Sequence, residues 1–429
     1  MNIAGICILL GTFLLLLAIK TPISFSLLAS SVITALYLKL PLMSVAVQMV
    51  KGIHSFSLMA IPFFILAGEI MGQGGISKRI IAFTNVLVGR VRGGLAQVNI
   101  LASMFFGGIS GSAIADVSSI GAMLIPLMKD SGYDADYSVD VTITSACQGL
   151  IIPPSHNMII FAVSAGGLSV GKLFLGGIVP GIMLGIALMI TSYVIAIKRN
   201  YPKGEKVTLR QGLQITGDAL LGLMTAVIII GGVIGGVFTA TESAAIACLY
   251  AFIVTFFVYR EIPLKVMGKI LSNSFKTLSM VLALLACCNA FGWLLAYLKV
   301  PALVTDALLN ISHNRVILLL LINLLLLALG CVMDMAPLIM ITTPILLPVV
   351  TAIGMDPIQF GIMMILNLAI GLCTPPVGAV LFVGCSIGKI SIEKMTKSLL
   401  PFYFAMVIAL LLVTFMPQIS LFVPNLLMP

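Results

Sequence analysis

G-L-I-I-P-P-S at residues 149–155 and G-L-C-T-P-P-V at 371–377 each set two consecutive prolines inside an otherwise apolar run. Proline lacks a backbone donor and clashes with the preceding turn, so a helix carrying such a pair must unwind there. The two stretches are also the same stretch written twice. A shift of 222 positions lays Pro153-Pro154 on Pro375-Pro376, Gly108 on Gly330, Pro126 on Pro348, Gly132 on Gly354 and Asp134 on Asp356. It also lays Gly149-Leu150 on Gly371-Leu372, Ser164 on Ser386, Gly166 on Gly388 and Ser169 on Ser391, without a gap. Two copies of one structural unit follow, at roughly 60–200 and 280–429.

Composition sets the solvent. Of the 429 residues, 60% are hydrophobic and 9% charged, and mean hydropathy is +1.21. A water-soluble surface needs far more charge. The apolar runs do not alternate with polar residues, which excludes a barrel and predicts an all-α polytopic membrane protein. The first run, 3–19, has no basic leader and no small-residue cleavage site ahead of it, and is read as a retained helix. The net charge of +9 falls in loops between spans, where membrane topology accounts for it and nucleic acid is not needed. Cys7, Cys147, Cys248, Cys287, Cys288, Cys331, Cys373 and Cys385 lack C-x-x-C spacing, and His54, His156 and His313 are far apart, so no metal cluster is visible.

A second kind of break precedes each proline pair. G-G-I-S-G-S-A-I-A-D (107–116) and G-C-V-M-D-M-A-P (330–337) interrupt apolar stretches whose flanks are each about 14 residues, or about 21 Å. That is short of a ~30 Å hydrocarbon core. Both are read as re-entrant helical hairpins, at about 94–129 and 314–350, beside broken helices at about 136–165 and 357–388. Continuous spans are expected at 3–19, 23–38, 56–73, 172–197, 213–237, 238–259, 277–298 and 400–424. Segments 44–54, 77–90, 264–275, 301–311 and 392–398 read as amphipathic interfacial helices. The domain reading is 1–60 and 201–276 as scaffold, with the repeats at 61–200 and 277–429. With the N-terminus periplasmic, every basic residue except Lys39, Lys51, Lys172, Lys299 and Arg315 falls on the cytoplasmic side, including the loop 198–210. The two hairpins then enter from opposite faces, which makes the repeat inverted.

Irregular backbone at membrane depth survives only where protein buries it or a polar cavity solvates it. Four paired breaks therefore point to a transporter's binding site; packing kinks are the bland alternative. Unwound helices present carbonyl oxygens, which suit Na⁺. One cage is expected from Ser110, Ser112, Gly149, Ile152 and Pro154, and a second from Gly330, Met333, Asp334, Gly371, Thr374 and Pro376. The serines and Asp334 also suit N-capping, with Pro337 in the first turn. Ser112, Ser155 and Asp334 are the substrate-binding candidates: converging helix N-termini favour an anion, and no Arg or Lys lies in either tip. Glu69, Asp116 and Glu242 are isolated acids in apolar runs, functional by default or bonded to backbone; Asp218 sits near a span start.

These motifs resemble the large membrane subunit of tripartite ATP-independent periplasmic (TRAP) transporters over nearly the full length. The resemblance rests on I-P-F-F-I-L-A-G-E-I-M (61–71), the first hairpin tip and I-I-P-P-S (151–155). G-G-V-F-T-A-T-E-S-A-A (235–245), V-M-D-M-A-P (332–337) and G-L-C-T-P-P-V-G (371–378) complete it. It implies an elevator-type scaffold and transport domain in a bacterial inner membrane. It also implies sodium coupling, a small four-helix membrane subunit and a soluble periplasmic protein that delivers an organic acid. The family carries C4-dicarboxylates and sugar acids; the sialic acid type is the leading expectation. Three departures stand out. Thr239-Ala240-Thr241-Glu242 replaces T-P-T-E, Met335-Ala336 lacks a neighbouring hydroxyl, and His156-Asn157 replaces a more apolar pair. A self-sufficient sodium–carboxylate permease is the alternative. An intramembrane enzyme is remote, because Gly108–Ser112 misses the last glycine of G-x-S-x-G and Ile215–Asp218 misses G-x-G-D.

Overall fold

The computed structural model describes residues 2–204, 207–312 and 314–428; His313 and part of the 198–210 loop lie outside the described residues. Apart from one isolated bridge between Arg92 and Lys203, the regular structure described is helical. α1 (Ile3–Ala18), α2 (Ile23–Tyr37), α3 (Leu42–Ile53), α4 (Ala60–Gln73) and α5 (Ile76–Val88) lead into the first repeat. There α6 (Gly94–Ser110) turns into α7 (Ala113–Asp116), a π turn at Val117–Gly121 and α8 (Ala122–Asp130). α9 (Ala135–Gly149), α10 (His156–Ser164) and α11 (Val170–Lys198) follow. α12 (Leu209–Ile234), α13 (Ala240–Ile253), α14 (Met267–Tyr297) and α15 (Val300–Ile311) form the middle. The second repeat is α16 (Arg315–Gly330), α17 (Met335–Ala352), α18 (Pro357–Leu372), α19 (Ala379–Gly388), α20 (Ile392–Ser398), α21 (Leu400–Phe415) and α22 (Pro417–Leu427).

The helices sort into two packed groups. α6 lies on α9 and α16 on α18, and α11 runs against α21 and α22. The other group joins α1, α2, α3 and α14 on one side, and α4, α5, α12 and α13 on the other. α4 and α5 meet α6, and α14 and α15 meet α17, where the groups touch. α9 and α18 are the innermost helices: Tyr137–Gly149 and Ile358–Leu372 are buried on every side. Among the described residues six helices are long and apolar enough to cross a bilayer, and shorter apolar ones accompany them. Leu14, Phe25, Ile190, Leu220, Leu324 and Phe404 lie exposed on their outer faces, as a lipid-bathed chain requires.

Both hairpins and both broken helices stand where the breaks placed them. Several boundaries differ, and three have a plain local cause. The segment 264–275 does not lie apart: from Met267 it is the first part of the 31-residue α14. After Pro263 no further proline interrupts it before Pro301, and Lys269 and Lys276 can extend their stems toward water. The expected last span, 400–424, breaks at Met416 (φ −113°, ψ 89°) ahead of Pro417, which opens α22. The span expected to begin at 172 starts at Val170, because Ser169 caps it through the Lys172 N–H (3.2 Å).

Candidate functional site

Each hairpin tip rests on a broken helix through glycine. A Cβ at Gly149 would fall 2.8 Å from Gly107 Cα, and one at Gly371 would fall 2.6 Å from Gly330 C. Backbone meets backbone at both places, so no larger residue fits. In the first hairpin, α6 ends at Ser110, Gly111 takes φ +63°, and the Ser112 hydroxyl accepts the Ala115 N–H (3.3 Å). In the second, Asp334 Oδ1 accepts the Met335 N–H (2.8 Å). Both capping readings therefore hold, each typically worth about 1 kcal/mol, and a capping oxygen keeps further lone pairs.

α9 loses its ladder at Leu150 and Ile151, whose N–H groups reach back only three residues (3.3 and 3.1 Å). Beyond them, the carbonyls of Gly149, Ile152 and Pro154 accept no hydrogen bond among the described residues. Gly108 lies directly on this turn, since its Cβ would sit 2.9 Å from Pro153 O. Ser110 Oγ adds a buried oxygen that already touches the Ser112 N–H (3.4 Å). In the second break, Gly371 O takes the Thr374 N–H (2.9 Å) and the Thr374 hydroxyl donates to Ile370 O (2.7 Å). The carbonyls of Gly330, Met333, Thr374 and Pro376 accept no hydrogen bond among the described residues. Oxygen-only sets of this kind fit a hard monovalent cation; the segments touch at Gly107–Gly149, Gly108–Pro153 and Gly330–Gly371, and in the second copy Gly371 O and the Thr374 hydroxyl are already engaged.

Beyond the first proline pair, Ser155 is 0% exposed with an unpartnered hydroxyl, although it stands at the N-cap of α10. Asn157 Nδ2 donates to Gly111 O (3.3 Å), tying the break to the hairpin tip. His156 Nδ1 is buried without a partner.

The isolated acids divide. Glu242 closes a capping box with Thr239, accepting its N–H (2.8 Å) and hydroxyl (2.9 Å), so α13's first turn accounts for it. Glu69 accepts from Gln73 one turn along α4 (3.1 Å). Asp218 is exposed. Asp116 is different: it is 1% exposed, sits beside the π turn, and both its oxygens lack partners. Asp140, 1% exposed on α9 with an equally bare carboxylate, is not among the sequence candidates. It lies inside the expected broken helix, so the reasoning that singled out Asp116 applied to it as well. Also missed were two buried networks. In one, Asn99 Nδ2 donates to Thr142 Oγ1 (2.6 Å). In the other, Asn367 donates to Asn323 Oδ1 (2.8 Å), which itself donates through Nδ2 to Thr414 Oγ1 (3.1 Å).

Paired hairpins and paired broken helices, with carbonyls near their meeting points that accept no hydrogen bond among the described residues, suit a polytopic membrane transporter. The fold is shared with the solved YdaH transporter of Alcanivorax borkumensis (TM-score 0.62, 11% identity, 85% of this chain and 86% of that one). Residues 10–419 match the DctM component of the tripartite ATP-independent periplasmic transporters, and the chain belongs to that family. It is 42% identical to the sialic acid TRAP transporter large permease protein SiaM of Vibrio cholerae, over 89% of both chains. It is 38% identical to the C4-dicarboxylate TRAP transporter large permease protein DctM of Rhodobacter capsulatus, over 98% of this chain and 99% of that one.

Proposed function

We propose that this chain is the permease of a sodium-coupled uptake system for an organic acid, in first place a sugar acid of the sialic type. A soluble periplasmic binding protein delivers the acid, and a small four-helix subunit accompanies the permease in the bacterial inner membrane, with its N-terminus periplasmic. The supporting observation is the meeting of each hairpin tip with a broken helix, several of whose carbonyls accept no hydrogen bond among the described residues. The 42% identity to a sialic acid permease supports the substrate class.

On this reading Ser110, Ser112 and the carbonyls of Gly149, Ile152 and Pro154 hold one Na⁺. Gly330, Met333, Asp334, Gly371, Thr374 and Pro376 hold a second. Bound there, sodium supplies the positive charge beside a carboxylate that no tip Lys or Arg provides. Ser112, Ser155 and Asp334 orient the acid. Each net positive charge that enters gains about 2.3 kcal/mol per 100 mV of inside-negative potential. The body made of α6–α11 and α16–α22 moves as an elevator against the remaining helices, carrying the oxygens with it.

Proteoliposomes holding the permease with its small subunit test this. Uptake should require an inward sodium gradient and the binding protein together, and Ser112→Ala and Asp334→Ala should each lower sodium-dependent uptake at least tenfold. Uptake without the binding protein would make the chain a self-sufficient permease; unchanged sodium activation in both variants would remove the cation sites from these residues.

A further inference from the structure

The residues after the two proline pairs occupy the same place in the repeat and differ completely in chemistry. In the second copy they are Val377 and Gly378, and their N–H groups donate to Cys331 O (3.1 and 3.4 Å). Main chain alone closes that junction, and no polar side chain is left over. In the first copy they are Ser155 and His156. The imidazole lies against the hairpin tip: a Cβ at Gly111 would fall 2.5 Å from His156 Nδ1. Asn157 already secures the tip through Gly111 O, so neither Ser155 Oγ nor His156 Nδ1 is needed for that purpose. Both are buried and bond nothing among the described residues. A buried polar group without a partner is costly, and a ligand that completes the bond regains that cost.

The free pair is a hydroxyl and one ring nitrogen, with no Lys or Arg in either tip. A second carboxylate would meet no cationic side chain here, and a methylene would leave both groups unsatisfied. A ligand hydroxyl both donates and accepts, so it can satisfy either group. We propose that His156, with Ser155, is the specificity-determining pair of the first break and reads a hydroxyl of the cargo. The permease then takes a hydroxylated monocarboxylate in preference to a plain monocarboxylate or a dicarboxylate of similar length. This rests on the organic-acid reading above and narrows it.

The experiment measures binding to the purified permease with its small subunit, by thermal stabilisation in sodium chloride and in choline chloride. The probes are gluconate, N-acetylneuraminate, hexanoate and adipate. Wild type should bind at least one of the two hydroxylated acids, in sodium, about tenfold to a hundredfold more tightly than hexanoate or adipate. His156→Ala should lose that preference while keeping its sodium-dependent stabilisation. His156→Asn, which returns a polar atom near the Nδ1 position, should recover much of it. A wild type that prefers adipate or hexanoate, or a His156→Ala protein that keeps the preference, overturns the assignment of His156 and leaves organic-acid transport standing. A wild type that binds none of the four acids overturns both.

Discussion

The first and second repeats set their helices down at the same spacing and then finish the local bonding differently. Ala113–Asp130 and Met335–Ala352 form the second arms of the hairpins, and α9 and α18 begin at 135 and 357. At residue 137 a tyrosine donates to the Ser192 carbonyl (2.9 Å). At 359, its repeat mate, a glutamine donates to the Val413 and Thr414 carbonyls (both 3.0 Å). α11 is one 29-residue helix, whereas its counterpart is α20 and α21 bent by 58°, with α22 beyond. Asp116 and Asp140 face Leu338 and Ile362 across the repeat. The backbone scheme is thus held in duplicate by shape, through glycine and proline, while the polar side chains have diverged. The first copy keeps bare buried carboxylates at 116 and 140 and unpartnered polar groups at Ser155 and His156, where the second carries Leu338, Ile362, Val377 and Gly378.

If shape is what the copies share, the glycine contacts must be equally intolerant in both. Gly149→Ala and Gly371→Ala each drive a Cβ into backbone atoms that cannot rotate away (2.8 and 2.6 Å). Each should cost about 3 kcal/mol, the upper end for overpacking, read as a lower unfolding temperature in detergent. Gly268→Ala on α14, where a Cβ meets nothing within 4 Å, should be neutral or slightly stabilising. A harmless change at 149 alone would mean that only the second hairpin is seated on its helix.

Tyr137 and Gln359 separate the copies next. Pro417 has no N–H, so the Val413 carbonyl has no helical donor and depends on Gln359. Ser192 lies within the unbroken α11, where its carbonyl has the ladder as well. Gln359→Leu should therefore cost about 2 kcal/mol and Tyr137→Phe about 1 kcal/mol. Equal losses would show that the break at Met416 does not depend on the glutamine.

The breaks were legible because glycine and proline act through their own backbones, which sequence displays directly. Gly108, Gly149, Pro153 and their mates need no neighbour to be recognised. Side-chain partnerships need the fold. Nothing local says that Asn99 meets Thr142 or that Asn323 meets Asn367, since both pairs join residues more than forty apart. α14 was split in the sequence reading because a change from polar to apolar character resembles an interface, yet a helix follows its hydrogen bonds through such a change. Asp140 shows the other limit: its setting in an expected span was readable, and its bare carboxylate was not.

The smallest effect belongs to the repeat-related aspartates at the starts of α9 and α18. Asp356 Oδ1 accepts the N–H groups of Ile358 and Gln359 (2.7 and 3.4 Å), an ordinary N-cap. Asp134 makes no side-chain cap; it accepts from the Tyr201 hydroxyl (2.7 Å) and pairs with Arg199 (2.9 Å). Asparagine caps about as well as aspartate, so Asp356→Asn should leave stability within a few tenths of a kcal/mol. Asp134→Asn instead gives up an ion pair, and that carboxylate is largely exposed (59%), which limits the loss at pH 7 to about 0.5 kcal/mol. The Tyr201 hydrogen bond, and then Arg199, hold the Asp134 carboxyl below its ordinary range against a smaller effect of burial. A depressed carboxyl stabilises the fold at every pH above the unfolded value and loses that contribution as pH falls through the folded one. The gap between wild type and Asp134→Asn should therefore close in acid and shrink in high salt. Unfolding curves of wild type and Asp134→Asn across pH and salt decide it, and a gap that neither changes would mean that the carboxylate contributes nothing through Arg199 and Tyr201.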